Sequence, residues 1–274
     1  MINKEPFKPV RRALKKTSTL ICSACLILAI IGPWIAPYGV GDVVSNTIFA
    51  PSSIEHILGT DYLGRDNLSR ILTAIRYTVG LALVSAFLSS AIGAFLALII
   101  VMSPRWVEEV SIRIVDALIS IPSKMLALVI LAGFSSSVEL LIITAVIGYA
   151  PGAFRVAYSL ALGQCELEYV KVAKIRGENA LYISIKEILP NILNSVLTDL
   201  GLRFVFIVLL LSGLSFLGLG VQPPNADLGS LVRENIGGMS QGAIALIAPA
   251  FTIGIMTIAV NLVIDQISEQ RNKR

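Results

Sequence analysis

Long runs of apolar residues separated by short polar stretches dominate this sequence. The clearest run contains no charged residue from Thr78 through Ser103. Because a helix that crosses a bilayer needs about 20 predominantly apolar residues, runs of this length predict spanning helices. Barrel strands are excluded, since the runs are too long for them and a spanning segment must satisfy its own backbone. Six spans can be drawn, over residues 19–36, 78–103, 112–134, 140–162, 194–217 and 243–264.

The composition agrees with a membrane protein. Of the 274 residues, 55% are hydrophobic and only 15% are charged, with a mean hydropathy of +0.80, whereas soluble domains have about 25% charged residues. The net charge of +4 does not indicate nucleic-acid binding, because the basic residues gather at the ends of apolar runs. We therefore predict an all-α integral membrane protein with six transmembrane helices.

Lysine and arginine are distributed unevenly between the two sides of the predicted spans. Six of them, beginning with Lys4, precede the first span, and the segment 163–193 carries four more. The positive-inside rule then predicts that both termini and this segment are cytoplasmic. The predicted organisation is a cytoplasmic tail (1–18), a first span (19–36), an external loop and elbow (37–76), a five-helix core (77–265) that includes the coupling segment (163–193) and an external loop (218–242), and a cytoplasmic tail (266–274).

Side chains that could carry catalysis or hold a metal are scarce. Cys22 and Cys25 have C-x-x-C spacing, but they lie in an apolar run, and a redox or metal site needs a polar, accessible setting. His56 is the only histidine and has no His or Cys companion nearby. The sequence contains no G-x-x-x-x-G-K-[ST] phosphate-binding loop. We therefore expect no catalytic residue, no metal site and no cofactor on this chain.

The stretch "EYVKVAKIRGENALYISIKEILPN", residues 168–191, is the most polar long segment between two apolar runs. Helical spacing places Tyr169, Val172, Ala173 and Ile175 mostly on one face. Gly177 fits the position after a helix C-terminus, where a left-handed conformation is needed, and Asn179 is a suitable N-cap for a second helix that ends before Pro190. Such a helix–turn–helix indicates either an element that docks on another protein or a loop that packs on itself.

This segment resembles the cytoplasmic coupling loop, or EAA loop, of ATP-binding-cassette importer permeases. The family pattern is Glu-Ala-Ala-x-x-x-Gly followed farther on by Leu-Pro. The sequence keeps the second Ala, the Gly and the Leu-Pro, but Lys171-Val172 replaces the first Glu-Ala. The resemblance implies that the ATPase-coupling residues are Glu168, Tyr169, Ala173, Gly177, Tyr182, Ile185, Leu189 and Pro190.

Three further stretches resemble the dipeptide, oligopeptide and nickel branch of this family, and they occur in the family's order. They are "LGTDYLGRDNLSRI", "SIPS" and "FLGLGVQPPNADLGSLV". In the fourth run, the family often has Trp-Pro-Gly and two arginines, where this chain has Ala150-Pro151-Gly152, Arg155 and Tyr158. The difference either alters the predicted pathway lining or is neutral.

The resemblance implies a permease subunit that forms half of a pathway for short peptides, nickel or metal chelates across a bacterial inner membrane. The implied partners are a second permease, two ATP-binding subunits that hold ATP and Mg, an extracytoplasmic solute-binding protein, and membrane lipid. The alternative is a self-contained secondary transporter or channel. That function would require an inverted repeat and ion-site charges at mid-membrane, and the sequence shows no convincing repeat.

Charged residues within the predicted spans are candidates for the pathway. Each costs about 2.5–3.5 kcal/mol at the centre of a membrane helix, so Asp116 and Lys124 should face the bundle or an aqueous cavity. A paired structural charge, or a snorkelling Lys124, is the alternative. Asp199 and Arg203 have the i,i+4 spacing of a mutual ion pair.

The outer loops offer two further candidates. The turn from Asp61 to Asp66 is either an interfacial elbow before the second span or a contact for an external protein. By family resemblance, the loop from Gln222 to Gly229 faces the binding protein and the mouth of the pathway. The full predicted set for pathway or external contacts is Asp116, Lys124, Arg155, Gln222, Pro223, Pro224 and Gly229.

Overall fold

The computed structural model describes residues 8–134, 137–241 and 244–271. Within these ranges it contains helices and no β-strand, apart from isolated bridges at Val43–Arg65 and Thr60–Asp66. Lys4, Gly242, Ala243, Lys273 and Arg274, which bear on the predicted tails and boundaries, lie outside the described residues. The helices are α1 (Lys8–Ile35), α2 (Asn67–Ile100), α3 (Arg105–Ile119), α4 (Ser123–Gly133), α5 (Val138–Cys165), α6 (Glu168–Ile175), α7 (Ala180–Tyr182), α8 (Leu189–Phe216), α9 (Leu228–Glu234) and α10 (Ile244–Arg271).

Five of the described helical segments are long and apolar enough to cross a membrane. A sixth is obtained only if α3 and α4 together count as one span, and their axes are bent by 77°. The predicted third span over 112–134 is therefore broken into two helices. Pro122 has no N–H to donate and disfavours the helical conformation in the residue before it. The helix stops at Ile119, and Pro122 becomes the N-cap of α4.

The fifth span also differs from its prediction, because helix runs without interruption from Ala180 to Phe216, 37 residues. A π-helical turn, Ile183–Ile188, joins α7 to α8, and the N–H of Leu189 donates to the carbonyl of Ser184, five residues earlier. Pro190 cannot donate and would crowd a regular α turn, and the wider π turn lies immediately before it. The second helix of the coupling segment is therefore the start of the fifth span.

The chain divides into two compact units. The first comprises Met1–Leu81, Ser136–Val138 and Val208–Arg274. In it α1 and α9 both pack on α10. Gly32 lets α1 approach α2 closely, because a Cβ at this position would lie 2.4 Å from the carbonyl oxygen of Leu72.

The second unit comprises Ala82–Ser135 and Glu139–Ile207. Small residues let α2 and α5 approach each other, since a Cβ on Gly93 would lie 2.5 Å from the Cβ of Ala153. The core of this unit continues from these two helices into the predicted coupling segment. Its buried members are Ala94, Ala97, Leu98, Phe154, Ala157, Ala161, Val170, Ala173, Ile183, Ile188, Ile192 and Val196.

Candidate coupling surface and pathway residues

The turn of the coupling segment has the predicted geometry. Gly177 has φ +77°, its N–H donates to the carbonyl of Lys174 at 3.0 Å, and the N–H of Glu178 donates to the carbonyl of Ala173 at 3.2 Å. This pair of bonds is the Schellman motif, which satisfies carbonyls left free at a helix C-terminus. The Asn179 side chain accepts from the N–H of Leu181 at 3.2 Å and caps α7. The helix–Gly turn–helix is confirmed.

One side of the segment is built into the protein's own core. Val170, Ala173, Ile183 and Ile188 are at most 1% exposed. Next to them, the Ser184 hydroxyl donates to the carbonyl of Leu98 at 2.8 Å. The segment is therefore held firmly on α2 and α5, and this side matches the self-packed alternative.

The other side presents apolar side chains that the described part of the chain does not cover. We define the coupling face as Val172, Ile175, Leu181, Tyr182 and Ile185, whose exposed fractions run from 39% to 85%. Exposed lysines, such as Lys174, lie between them. Contiguous exposed apolar surface with a polar rim is typical of protein–protein contact sites.

The predicted coupling residues separate between these two sides. Ala173 is fully buried and Leu189 packs against the core. Both residues therefore determine the shape of the segment, and their side chains offer little surface to a partner protein. The Tyr169 hydroxyl donates to Gln164 at 2.7 Å and accepts from the Asn191 amide at 3.3 Å, which ties α6 to its neighbours. The exposed predicted residues are Glu168, Gly177, Tyr182, Ile185 and Pro190, and the exposed members that the site prediction left out are Val172, Ile175 and Leu181.

Two polar contacts tie α3 to α5, and α3 itself has no buried residue. Arg155 of α5 forms an ion pair with Asp116, and the Tyr158 hydroxyl donates to Glu108. The predicted pathway residues Asp116 and Arg155 are thus brought together. Lys124 lies exposed near the start of α4.

The predicted pair of Asp199 and Arg203 is confirmed. The Arg203 Nε atom lies 2.6 Å from Asp199 Oδ2, and a second guanidinium nitrogen donates to the carbonyl of Tyr149 at 3.0 Å. Arg203 is only 7% exposed. The pair is therefore a buried brace between α5 and α8.

The loop after α8 is only partly exposed. Gln222, Pro223 and Pro224 are exposed, and the Gln222 amide donates to the carbonyl of Gly220 at 2.9 Å. Gly229 is buried, and a Cβ there would lie 2.4 Å from the carbonyl oxygen of Ser212. This corrects the predicted role of Gly229 as an external contact, because the position needs glycine for close packing.

A buried ion network organises the loop before α2. Asp61, which is 0% exposed, accepts from Arg65 and from Arg70, each at 2.7 Å. Glu234 of α9 accepts from Arg70 at 2.7 Å and from Arg65 at 3.2 Å. We call these four residues the outer ion network. Their burial favours the structural elbow over an external contact at this turn.

His56, the only histidine of the chain, has a structural partner. Its Nδ1 atom lies 3.1 Å from Asp66 Oδ1. Within the described ranges, no group of three or more His, Cys, Asp or Glu side chains has an arrangement that could hold a metal.

Asp227 caps α9 from a buried position. Its side chain accepts from the N–H of Ser230 at 3.0 Å and from the Ser215 hydroxyl at 2.7 Å, and Ser230 accepts from the N–H of Asp227 at 2.9 Å. This reciprocal arrangement is a capping box. Burial raises the pKa of the Asp227 carboxyl, although these hydrogen bonds act in the opposite direction.

We expect Asp227→Asn to reduce the pH dependence of stability. With a raised pKa, the folded carboxyl holds its proton more tightly than the unfolded one. Its contribution to the free energy of unfolding is therefore lost as pH rises from the ordinary Asp pKa through the raised value. Asparagine keeps the cap acceptor and does not titrate. Thermal unfolding of the purified protein across acidic to neutral pH measures the difference, and equal slopes of stability against pH in both proteins would contradict it.

Asp42→Asn, at an exposed acid, is the control and should keep the wild-type slope.

The sequence profile of the family described as "Binding-protein-dependent transport system inner membrane component" matches residues 89–274. The chain belongs to this family. A Brucella suis biovar 1 protein assigned as a peptide transport system permease is 30% identical over 268 residues, which are 96% of this chain and 90% of the relative. The glutathione transport system permease protein GsiD of Escherichia coli O1:K1 / APEC is 28% identical over 256 residues, 93% of this permease and 84% of GsiD.

A solved structure shows the same fold. A chain of the MetNI methionine ABC transporter, in an inward-facing conformation, superposes with a TM-score of 0.58 at 19% identity, covering 72% of this permease and 94% of that chain. The resemblance found in the sequence is confirmed: the protein is a multi-span permease component of an ATP-binding-cassette importer. Nothing in these relatives supports the alternative of a self-contained secondary transporter.

Proposed function

We propose that this permease forms half of the pathway of a peptide importer in the bacterial inner membrane, with both termini cytoplasmic. In this proposal it pairs with a second permease, two ATP-binding subunits that hold ATP and Mg, and an extracytoplasmic solute-binding protein. Peptide is the proposed substrate class because the relatives from Brucella suis and Escherichia coli are named for peptide and glutathione transport. Nickel and metal chelates, which the sequence resemblance also implied, have no support in these names.

The observation that carries the proposal is the two-sided construction of the coupling segment. Its inner side packs into the core through Val170, Ala173, Ile183 and Ile188. The coupling face is exposed, and exposed lysines lie between its residues. A loop that served only to connect two spans would not need an exposed isoleucine such as Ile175, which is 85% exposed. A groove on an ATP-binding subunit would cover this face.

The same construction explains how movement would reach the membrane. Helix continues from Ala180 into the fifth span without interruption, and the inner side of the segment is packed on α2 and α5. When the ATP-binding subunits close on ATP, displacement of the coupling face would move these helices together. Hydrolysis on the partner subunits would then reset the permease.

We expect Ile175→Asp to release the ATP-binding subunits without unfolding the permease. The side chain is 85% exposed among the described residues, so the change should cost little stability. It would place a charge in an apolar interface, and at a hot-spot position the loss of binding free energy is about 2 kcal/mol or more. Co-purification of the ATP-binding subunits should fall about tenfold or more.

Ile54→Asp is the matched control, since Ile54 is a fully exposed isoleucine in the predicted external loop. It should leave co-purification unchanged. Equal retention of the ATP-binding subunits by both variants would mean that the coupling face is not their contact.

Cross-linking tests the proposed function directly. A single cysteine at Lys174, with Cys22, Cys25 and Cys165 replaced, lies on the exposed side of α6. In inner-membrane vesicles that contain the ATP-binding subunits, it should form a cross-link to them whose yield changes with ATP. If no cross-link forms and transport persists after deletion of the ATPase genes, the proposal is overturned and a secondary transporter is favoured.

A further inference from the structure

The ion pair of Asp116 and Arg155 occupies an unusual place for two exposed charges. Arg155 lies in α5, which has 28 residues and is therefore about 42 Å long at about 1.5 Å per residue. Its position along the helix is about 5 Å from the midpoint. Yet 59% of the Arg155 side chain and 45% of the Asp116 side chain are exposed. A charge near the middle of a bilayer is costly unless water or a partner surrounds it.

Other polar residues share the faces of the two helices that carry this pair. Arg113 of α3 precedes Asp116 at helical spacing, Ser120 at the C-cap of α3 follows it, and both are exposed. On α5, Ser159 follows Arg155 at i+4 and is also exposed. A lipid-facing surface would be apolar, and a contact between two permeases in lipid would favour small residues with few charges. A helix surface with polar residues and charges of both signs, as here, favours exposure to water.

We propose that Asp116 and Arg155 form a binding site for the two charged ends of a peptide inside the translocation pathway. This inference rests on the proposed function, because it assigns a substrate contact to a peptide permease. The ligand class is a short peptide with a free α-ammonium and a free α-carboxylate.

The chemistry of the pair suits this ligand. The Arg155 guanidinium is a planar fork of N–H donors that matches a carboxylate in a bidentate manner. The Asp116 carboxylate accepts from an ammonium group. In the empty site the two side chains neutralise each other, and an entering peptide replaces one ion pair by two without changing the net charge. Since the empty pair is also stable, the peptide is held weakly enough to leave, as transport requires.

The test uses the complete importer in vesicles and single cysteines on the Cys-free background. Asp116→Cys leaves Arg155 beside the thiol, so an anionic methanethiosulfonate should react about tenfold faster than a cationic one. Arg155→Cys leaves Asp116, so the preference should reverse. Ile54→Cys, at a fully exposed position outside the coupling face, is the control and fixes the intrinsic reactivity of each reagent.

Protection by trialanine and its blocked forms then identifies which end each residue binds. In Asp116→Cys, trialanine and N-acetyl-trialanine should slow the reaction, and trialanine amide should not, because Arg155 binds the carboxylate. In Arg155→Cys, trialanine amide should protect and the N-acetyl form should not. Ile54→Cys should not be protected by any of the three.

Three results would overturn the inference. Unreactive thiols at both positions would place the pair against lipid or a partner subunit. Reactive thiols without the crossed pattern of protection would make it a structural ion pair in water.

Because either cysteine variant could misfold, Arg155→Lys provides a second measurement. Lysine keeps the positive charge but lacks the planar guanidinium that binds a carboxylate in a bidentate manner. KM for trialanine uptake should therefore rise about tenfold with kcat unchanged. An unchanged KM contradicts the site. The ATP-sensitive cross-link from Lys174→Cys tests the proposed function separately.

Discussion

Replacing Gly177 with proline is expected to abolish substrate uptake while the permease still inserts into the membrane. Gly177 has φ +77° and donates its N–H to the carbonyl of Lys174. Proline fixes φ near −65° and has no N–H, so the turn between α6 and α7 cannot form. The coupling face would lose its shape without any change in an apolar span. Uptake into vesicles, with immunodetection of the inserted permease, measures the two effects separately.

Gly177→Asn is the matched control for this substitution. A Cβ at Gly177 would meet no atom within 4 Å, so the cost of a side chain here comes from the backbone and not from crowding. Asparagine tolerates the left-handed region better than other non-glycine residues. Most of the uptake should therefore remain. If the proline variant transports as well as the asparagine variant, the turn has no role in coupling.

Asp61→Ala is expected to destabilise the permease by about 3–5 kcal/mol, because it removes the central partner of the buried Arg70 and of the partly buried Arg65. Asp61 is 0% exposed and accepts from the side chains of Arg65 and Arg70 and from the backbone N–H of Leu63. Glu234 remains to bind both arginines, but one carboxylate would then balance two charges. The yield of membrane-inserted protein and its thermal unfolding temperature should both fall.

Asp42→Ala tests whether this loss is specific to the outer ion network. Asp42 belongs to the same loop but is exposed, and it accepts only a local bond from the N–H of Gly39 at 2.9 Å. Its replacement should cost about 0.5–1 kcal/mol. Equal unfolding temperatures for the two variants would show that the buried network adds no net stability.

Local signals made the turn of the coupling segment predictable. Gly177 and Asn179 act through the backbone within a few residues of themselves, so their types alone indicate a helix end and a helix start. Asp199 and Arg203 were also accessible to prediction, because i,i+4 neighbours on a helix meet wherever the helix lies. The apolar spans follow from length and composition for the same reason.

Two prolines show where local signals are insufficient. Pro122 ends α3 and precedes a 77° bend, whereas Pro190 lies inside an uninterrupted helix. Both remove one backbone donor. At Pro190 the π turn precedes the missing bond, and the Ser184 hydroxyl anchors that turn on Leu98, 86 residues away. Such an anchor depends on the folded arrangement and has no signature in the sequence around the proline.

Burial and distant pairing were unpredictable for the same reason. Periodicity grouped Val172, Ala173 and Ile175 on one face, but only Ala173 packs inward while the other two are exposed. Which stripe of α6 is covered depends on the positions of Ile183 and Ile188. The outer ion network joins Arg70 to Glu234 across 164 residues, and Gly229 is buried only because α8 lies against it.

The π turn at Ile183–Ile188 sets the rotation about the helix axis between the coupling face and the residues of the fifth span. A regular α-helix advances about 100° per residue. A π turn takes up one more residue than an α turn, so converting it to α geometry with the same residues would rotate Tyr182 by about 100° about the helix axis relative to Asp199. Because helix is continuous from Ala180 to Phe216, every residue of the fifth span would share this rotation. The rotational position of the coupling face relative to the pathway residues is thus fixed by the geometry of a single helical turn.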